Sequence, residues 1–172
     1  MLYLFGFEEI AVVAGDVFFV DPNPEPGQDG AEAGVRVELR ALERLPLRSS
    51  IYSAQPIGIE TPLARIDLFE TFPGGRGTRD RVHFHPRFDG WDPGRRHFDA
   101  GLTADPMIWL GKQLQDASAV LAEPSLQDAR ALAERADEIV ETVDRLWGRV
   151  RSGVLDPAGD WPASPSFRHG WL

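Results

Sequence analysis

The stretch "ARIDLFETFPGGRGTRDRVHFHPRF", residues 64–88, decides the fold. Ala64, Ile66 and Leu68 alternate with Arg65, Asp67 and Phe69, and Val82 and Phe84 alternate with Arg81, His83 and His85. Period two is the pattern of a half-buried strand, and a Gly-rich link between two such runs predicts an antiparallel hairpin. Residues directly opposite across an antiparallel pair share a face, so the sum of paired residue numbers fixes the register. An even sum near 150 sets Val82 and Phe84 against Leu68 and Ile66 on the buried face. An odd sum opposes apolar to polar side chains throughout, and burial rejects it.

The same register gathers Asp67, His83 and His85 on the other, polar face, beside Arg65. Two imidazoles at i and i+2 can converge on one ion, and a carboxylate from the neighbouring strand completes a two-histidine, one-carboxylate set for a divalent metal. Without a metal, Asp67 can orient an imidazole as a general base, because histidine titrates near neutral pH. His83, His85 and Asp67 are therefore the candidate metal ligands and the candidate catalytic groups. His97, in the turn-rich segment "DGWDPGRRHFDAG", is a further candidate. The bland alternative for the H-x-H is an ordinary polar face of a strand.

The link "PGGRGTRD" suggests a different chemistry. Arg76 and Arg79, with exposed backbone N–H groups, can hold a phosphate or carboxylate. Together with Arg65 and Arg81 they form a candidate site for a small anionic ligand. The link lacks the Lys-Ser/Thr ending and following helix of a nucleotide P-loop, and a plain Gly-rich hairpin tip is its bland reading. The H-x-H followed by Asp89 resembles part of the cupin pattern, which adds a third histidine much later. Pro86 directly after His85, and His97 as the next histidine, depart from that pattern. No nucleophile elbow, dinucleotide fingerprint or H-E-x-x-H is present, so the motifs leave enzymatic status open.

Outward from the hairpin, "VRVELRA" puts Val35, Val37, Leu39 and Ala41 on one face and Arg36, Glu38 and Arg40 on the other, a strand signature. The N-terminal "MLYLFGFEEIAVVAGDVFFV" predicts two or three short strands broken at Gly6 and Gly15. "DPNPEPGQDGAEAG" reads as a long exposed loop, and residues 51–59 as a weak strand interrupted by Pro56.

After residue 103 the period changes. Asp105 and Pro106 mark a helix start, and Met107, Leu110, Leu114, Ala117 and Leu121 follow at helical spacing. Ser125 and Asp128, in capping-box spacing, restart a second helix. Its seam runs through Ala129, Leu132, Ala136, Ile139, Val143, Leu146 and Val150. The short link predicts an antiparallel helical hairpin. The seam predicts either packing on the sheet or, because the second helix outruns the first, a homodimer interface.

The expected architecture is α+β in one domain, residues 1–172. An antiparallel sheet or partial barrel spans residues 2–88 of a β-rich part, 1–101. A helical hairpin, 106–151, fills the part 102–152. An irregular tail, 153–172, docks through Trp161, Phe167 and Trp171.

Composition narrows the function classes. The chain has no cysteine, hence no disulfide or thiolate site. Its net charge of −9 argues against nucleic-acid partners. No apolar run reaches the ~18 residues of a membrane span, and the first basic residue, Arg36, comes too late for a secretory n-region. These features predict a cytoplasmic protein, and 17 Arg against a single Lys suggests a GC-rich bacterial genome. The leading functional expectation is a small-molecule or metal-binding protein using the polar face of the central hairpin. The rival is a non-enzymatic homodimeric interaction or regulatory protein using its long C-terminal helix.

Overall fold

The computed structural model describes residues 1–153 apart from 22, 25, 27–29, 72–76, 117–120 and 122–124. Its main sheet has five antiparallel strands: β1 (Leu2–Gly6), β2 (Ile10–Val20), β3 (Ala31–Ala41), β6 (Pro62–Thr71) and β7 (Arg81–His85), in that spatial order. Between β3 and β6 the chain makes a two-residue ladder, β4 (Glu43–Arg44) with β5 (Ile57–Gly58). Four helices follow: α1 (Ala100–Ala104), α2 (Pro106–Gln115), α3 (Leu126–Glu134) and α4 (Ala136–Arg151). The class is α+β, as the alternation and its later change of period predict. No helix among the described residues is long and apolar enough to cross a membrane.

One face of the sheet carries the core. Ile10, Val12, Ala14, Val35, Val37, Leu39, Ala64, Ile66, Leu68 and Val82 meet Leu102, Leu110, Leu114, Leu132, Ile139, Val143 and Leu146 from the helices. Removing each Leu or Ile side chain from water contributes roughly 1.5–3 kcal/mol. Leu132, Ala136, Ile139, Val143 and Leu146 of the seam are therefore buried inside the chain, against the sheet and α2.

Three expectations need correction. Gly15 does not break the N-terminal strand: β2 runs straight through it, with Gly15 opposite Arg36, because an eleven-residue ladder with β3 outweighs one unfavourable residue. β3 begins at Ala31, so the end of the expected loop belongs to the ladder. The second helix is not continuous. Arg135, at φ −105° and ψ 3°, separates α3 from α4, and α2 stops at Gln115, so the helices are not two long rods. The docked tail and Ala117 lie outside the described residues.

The caps follow the sequence. Asp105 accepts from the Ile108 N–H, with Pro106 in the first turn, and Ser125 accepts from Asp128 N–H. Asp128 itself is buried and departs from capping-box behaviour. Its carboxylate accepts from the Glu8 and Glu9 N–H groups, so it pins the β1–β2 turn to the start of α3.

Gly34 shows why β3 and β6 need a glycine at their contact. A Cβ there would stand 1.9 Å from the Leu68 carbonyl oxygen, inside the neighbouring strand's backbone.

Candidate functional site

The β6–β7 register pairs Arg65 with His85, Ile66 with Phe84, Asp67 with His83 and Leu68 with Val82, and each pair sums to 150. On its other side β6 pairs with β3, which brings Arg36 opposite Asp67 and Glu38 opposite Arg65. Two rows of side chains thus cross three strands: Arg36–Asp67–His83, and Glu38–Arg65–His85. Strand alternation alone puts all six on the face away from the helices.

That face is not open to water. Residues 86–99, the Gly-rich and Pro-rich segment after β7, fold back across it. Phe84 and His97 exchange both backbone hydrogen bonds at 2.9 Å, which holds the returning end. Phe88 lies 5.7 Å beneath the Arg65 guanidinium, Trp91 lies 5.9 Å from that of Arg40, and the Phe98 ring is 5.8 Å from His83. As a result Asp67 and His83 are 1% exposed and His85 is 2% exposed.

The hydrogen bonds place a proton on Nδ1 of both imidazoles. His83 Nδ1 is 2.7 Å from the Arg81 carbonyl oxygen, and His85 Nδ1 is 3.0 Å from that of Pro93. A carbonyl only accepts, so each Nδ1 carries a proton and each ring turns its Nε2 inward. The Arg65 Nη2, which only donates, lies 3.0 Å from His85 Nε2 and so leaves a lone pair on that atom. His83 Nε2 is 3.3 Å and His85 Nε2 3.8 Å from Asp67 Oδ2, and the three ligand atoms all lie within 4.8 Å of one another.

Guanidiniums surround the carboxylate. Arg36 Nε donates to Asp67 Oδ1 at 2.8 Å, and Arg65 Nε is 2.9 Å from Oδ2. Burial alone would raise the Asp67 pKa. Arg36, the His83 hydrogen bond and Arg65 outweigh it and hold the carboxyl well below the usual carboxylate range. Burial, aided by the Arg65 cation, pushes the His85 pKa down to about 4 against the pull of Asp67. His85 is therefore a neutral donor of electrons near pH 7. Beside this set, Glu32 receives Arg96 at 2.9 Å and Arg81 at 3.4 Å, and Glu38 receives Arg40.

Other residues named from sequence fall elsewhere. His97 shares the face of Phe84, with ring centroids 5.5 Å apart, and so points away from His83 and His85. Its distance from the set follows from the backbone bridge, since bridged residues lie on one face and neighbours in a strand on opposite faces. Arg81 joins Glu32. Arg79, with φ 53°, donates to the Thr103 and Ala104 carbonyls at the end of α1. The backbone N–H groups of Gly77 and Arg79 donate to the Glu70 carboxylate, which also pairs with Arg151. Among the described residues of the tip, an internal anion thus occupies the Gly77 and Arg79 amides. Arg76 lies outside the described residues.

Sequence reading passed over Arg36, Glu32 and Arg96. The available signal was the complementary order of charge on adjacent strands, Arg36 and Glu38 on β3 against Asp67 and Arg65 on β6. No family model, curated protein or solved structure matches the chain.

In a tetrahedral zinc site with metal–ligand distances of ~2.0–2.1 Å, neighbouring ligand atoms stand ~3.3–3.4 Å apart. The spacing of Asp67 Oδ2 from His83 Nε2 already matches, and that from His85 Nε2 needs a few tenths of an ångström. Arg65 Nη2 competes for the same His85 lone pair, so an ion entering this set displaces it.

Proposed function

We propose that the chain binds a first-row divalent metal ion, of the zinc or ferrous type, through Asp67 Oδ2, His83 Nε2 and His85 Nε2. One observation carries the reading: both imidazoles donate from Nδ1 to backbone carbonyls and so turn both Nε2 atoms toward one carboxylate oxygen. Such carbonyl partners are what orients metal-binding histidines. Three protein ligands leave coordination positions for water or a small ligand, which suits catalysis or small-molecule binding. The absence of cysteine and the predominance of Arg over Lys support a cytoplasmic bacterial setting. The acidic net charge speaks against nucleic acid as a partner.

A second reading has its own observation. Arg65 satisfies His85 Nε2 and flanks Asp67, so the same six residues also make an ion network that orders the sheet face with no ligand. Elemental analysis of protein purified without a His tag or chelator separates the two. The metal reading expects close to one ion per chain in the wild type and loss of it in His83→Ala. Substoichiometric metal, unchanged in His83→Ala, rejects it.

A further inference from the structure

The charge around the ligand atoms is opposite in sign to that of the whole chain. Three carboxylates on this sheet face, Glu32, Glu38 and Asp67, are paired with four guanidiniums of its strands, Arg36, Arg40, Arg65 and Arg81, and with Arg96 of the covering segment. Among the described residues the strands of this face therefore hold one excess positive charge, in a protein whose net charge is −9. Buried charge of one sign is costly unless it is compensated. A divalent ion raises the excess further, so the metal alone is a poor electrostatic fit.

Hydrogen bonding points the same way. Arg65 Nε and Arg81 Nε are buried without a hydrogen-bond acceptor, although carboxylate oxygens lie 2.9 and 3.4 Å away at unsuitable angles. Metal entry also takes His85 Nε2 from Arg65 Nη2. The freed guanidinium then needs an acceptor within the same enclosure. A carboxylate matches its planar pair of donors, and water does so less well.

From this charge imbalance and the unsatisfied Arg65 Nε, we infer that the metal-loaded site takes a small carboxylate anion, bound to the metal on one side and to Arg65 on the other. The inference rests on the metal reading above. Entry requires residues 86–99 to lift, and the side-chain ties that must break are His85 Nδ1 to Pro93 and Arg96 to Glu32.

The test titrates Co2+-loaded full-length protein with succinate and, at matched ionic strength, with sulfate. The cobalt electronic spectrum and calorimetry are read together. Succinate is expected to bind at least tenfold more tightly to the loaded protein than to the metal-free protein, and to perturb the cobalt bands. Arg65→Gln is expected to bind cobalt more tightly, because a competitor for His85 is gone, and to lose at least tenfold in succinate affinity. Arg65→Lys keeps the charge without the paired donors and is expected to show most of that loss, which covers misfolding of the Gln variant. Cobalt binding with no succinate effect, or an equal effect of sulfate, overturns the anion inference and leaves the metal site standing. Failure of both wild type and Arg65→Gln to bind cobalt removes both.

Discussion

The pH dependence of His85 gives the most quantitative check on the buried face. In the unfolded chain its imidazole takes a proton near 6.5, and in the folded chain only at about 4. The folded pKa is depressed, so the unfolded state binds more protons throughout that window. The His85 contribution to stability is therefore complete above pH ~6.5 and is lost progressively as pH falls toward 4. A shift of this size corresponds to ~3.4 kcal/mol at about 1.36 kcal/mol per unit. Only part of that is lost above pH 4.5, roughly 2 kcal/mol, because the window stops short of the folded pKa. Replacing His85 with Gln removes the titrating group but keeps a polar head. The stability difference between wild type and His85→Gln should then shrink by roughly 2 kcal/mol between about pH 7 and 4.5. Urea unfolding in chelator-containing buffer, at several pH values across the window, measures it. A difference that stays constant with pH would show that His85 titrates as it does in water, and the enclosed face would be refuted.

Other consequences are simpler to read. Asp67→Asn leaves Arg36 and Arg65 without their shared carboxylate and should cost about 3–5 kcal/mol in chemical denaturation, the usual effect of breaking a buried pair. Gly34→Ala drives a methyl group into the Leu68 carbonyl and should cost at least ~3 kcal/mol, with weakened amide-exchange protection along β3 and β6. Ile139→Ala opens a cavity under α4 and should cost ~2–5 kcal/mol; a change below ~1 kcal/mol would contradict the burial of the helical seam.

The hairpin register was legible because one strand face must be apolar. Leu68 and Ile66 can face Val82 and Phe84 in only one parity, and that parity brings Asp67 to His83. The enclosure of the polar face was not legible. Alternation gives the same pattern whether the polar side meets water or a returning loop, and Asp-Pro-Gly turns do not state where a loop lands. A rule that charged residues lie outside therefore misplaces Arg36, whose partner Asp67 comes from another strand. The break at Arg135 has no Gly or Pro to announce it, and the 3-4 seam continues across it because both α3 and α4 bury the same side. The role of Glu70 at the hairpin tip was hidden for a related reason. Sequence shows which amides a turn offers, but not that an internal carboxylate reaches them first.

X-ray absorption at the metal edge of the zinc-loaded protein tests the metal site most directly. Two imidazole nitrogens and one carboxylate oxygen are expected at ~2.0–2.2 Å, with imidazole scattering halved in His83→Ala and in His85→Ala. A first shell of oxygen alone, or imidazole scattering unchanged by both substitutions, would contradict it.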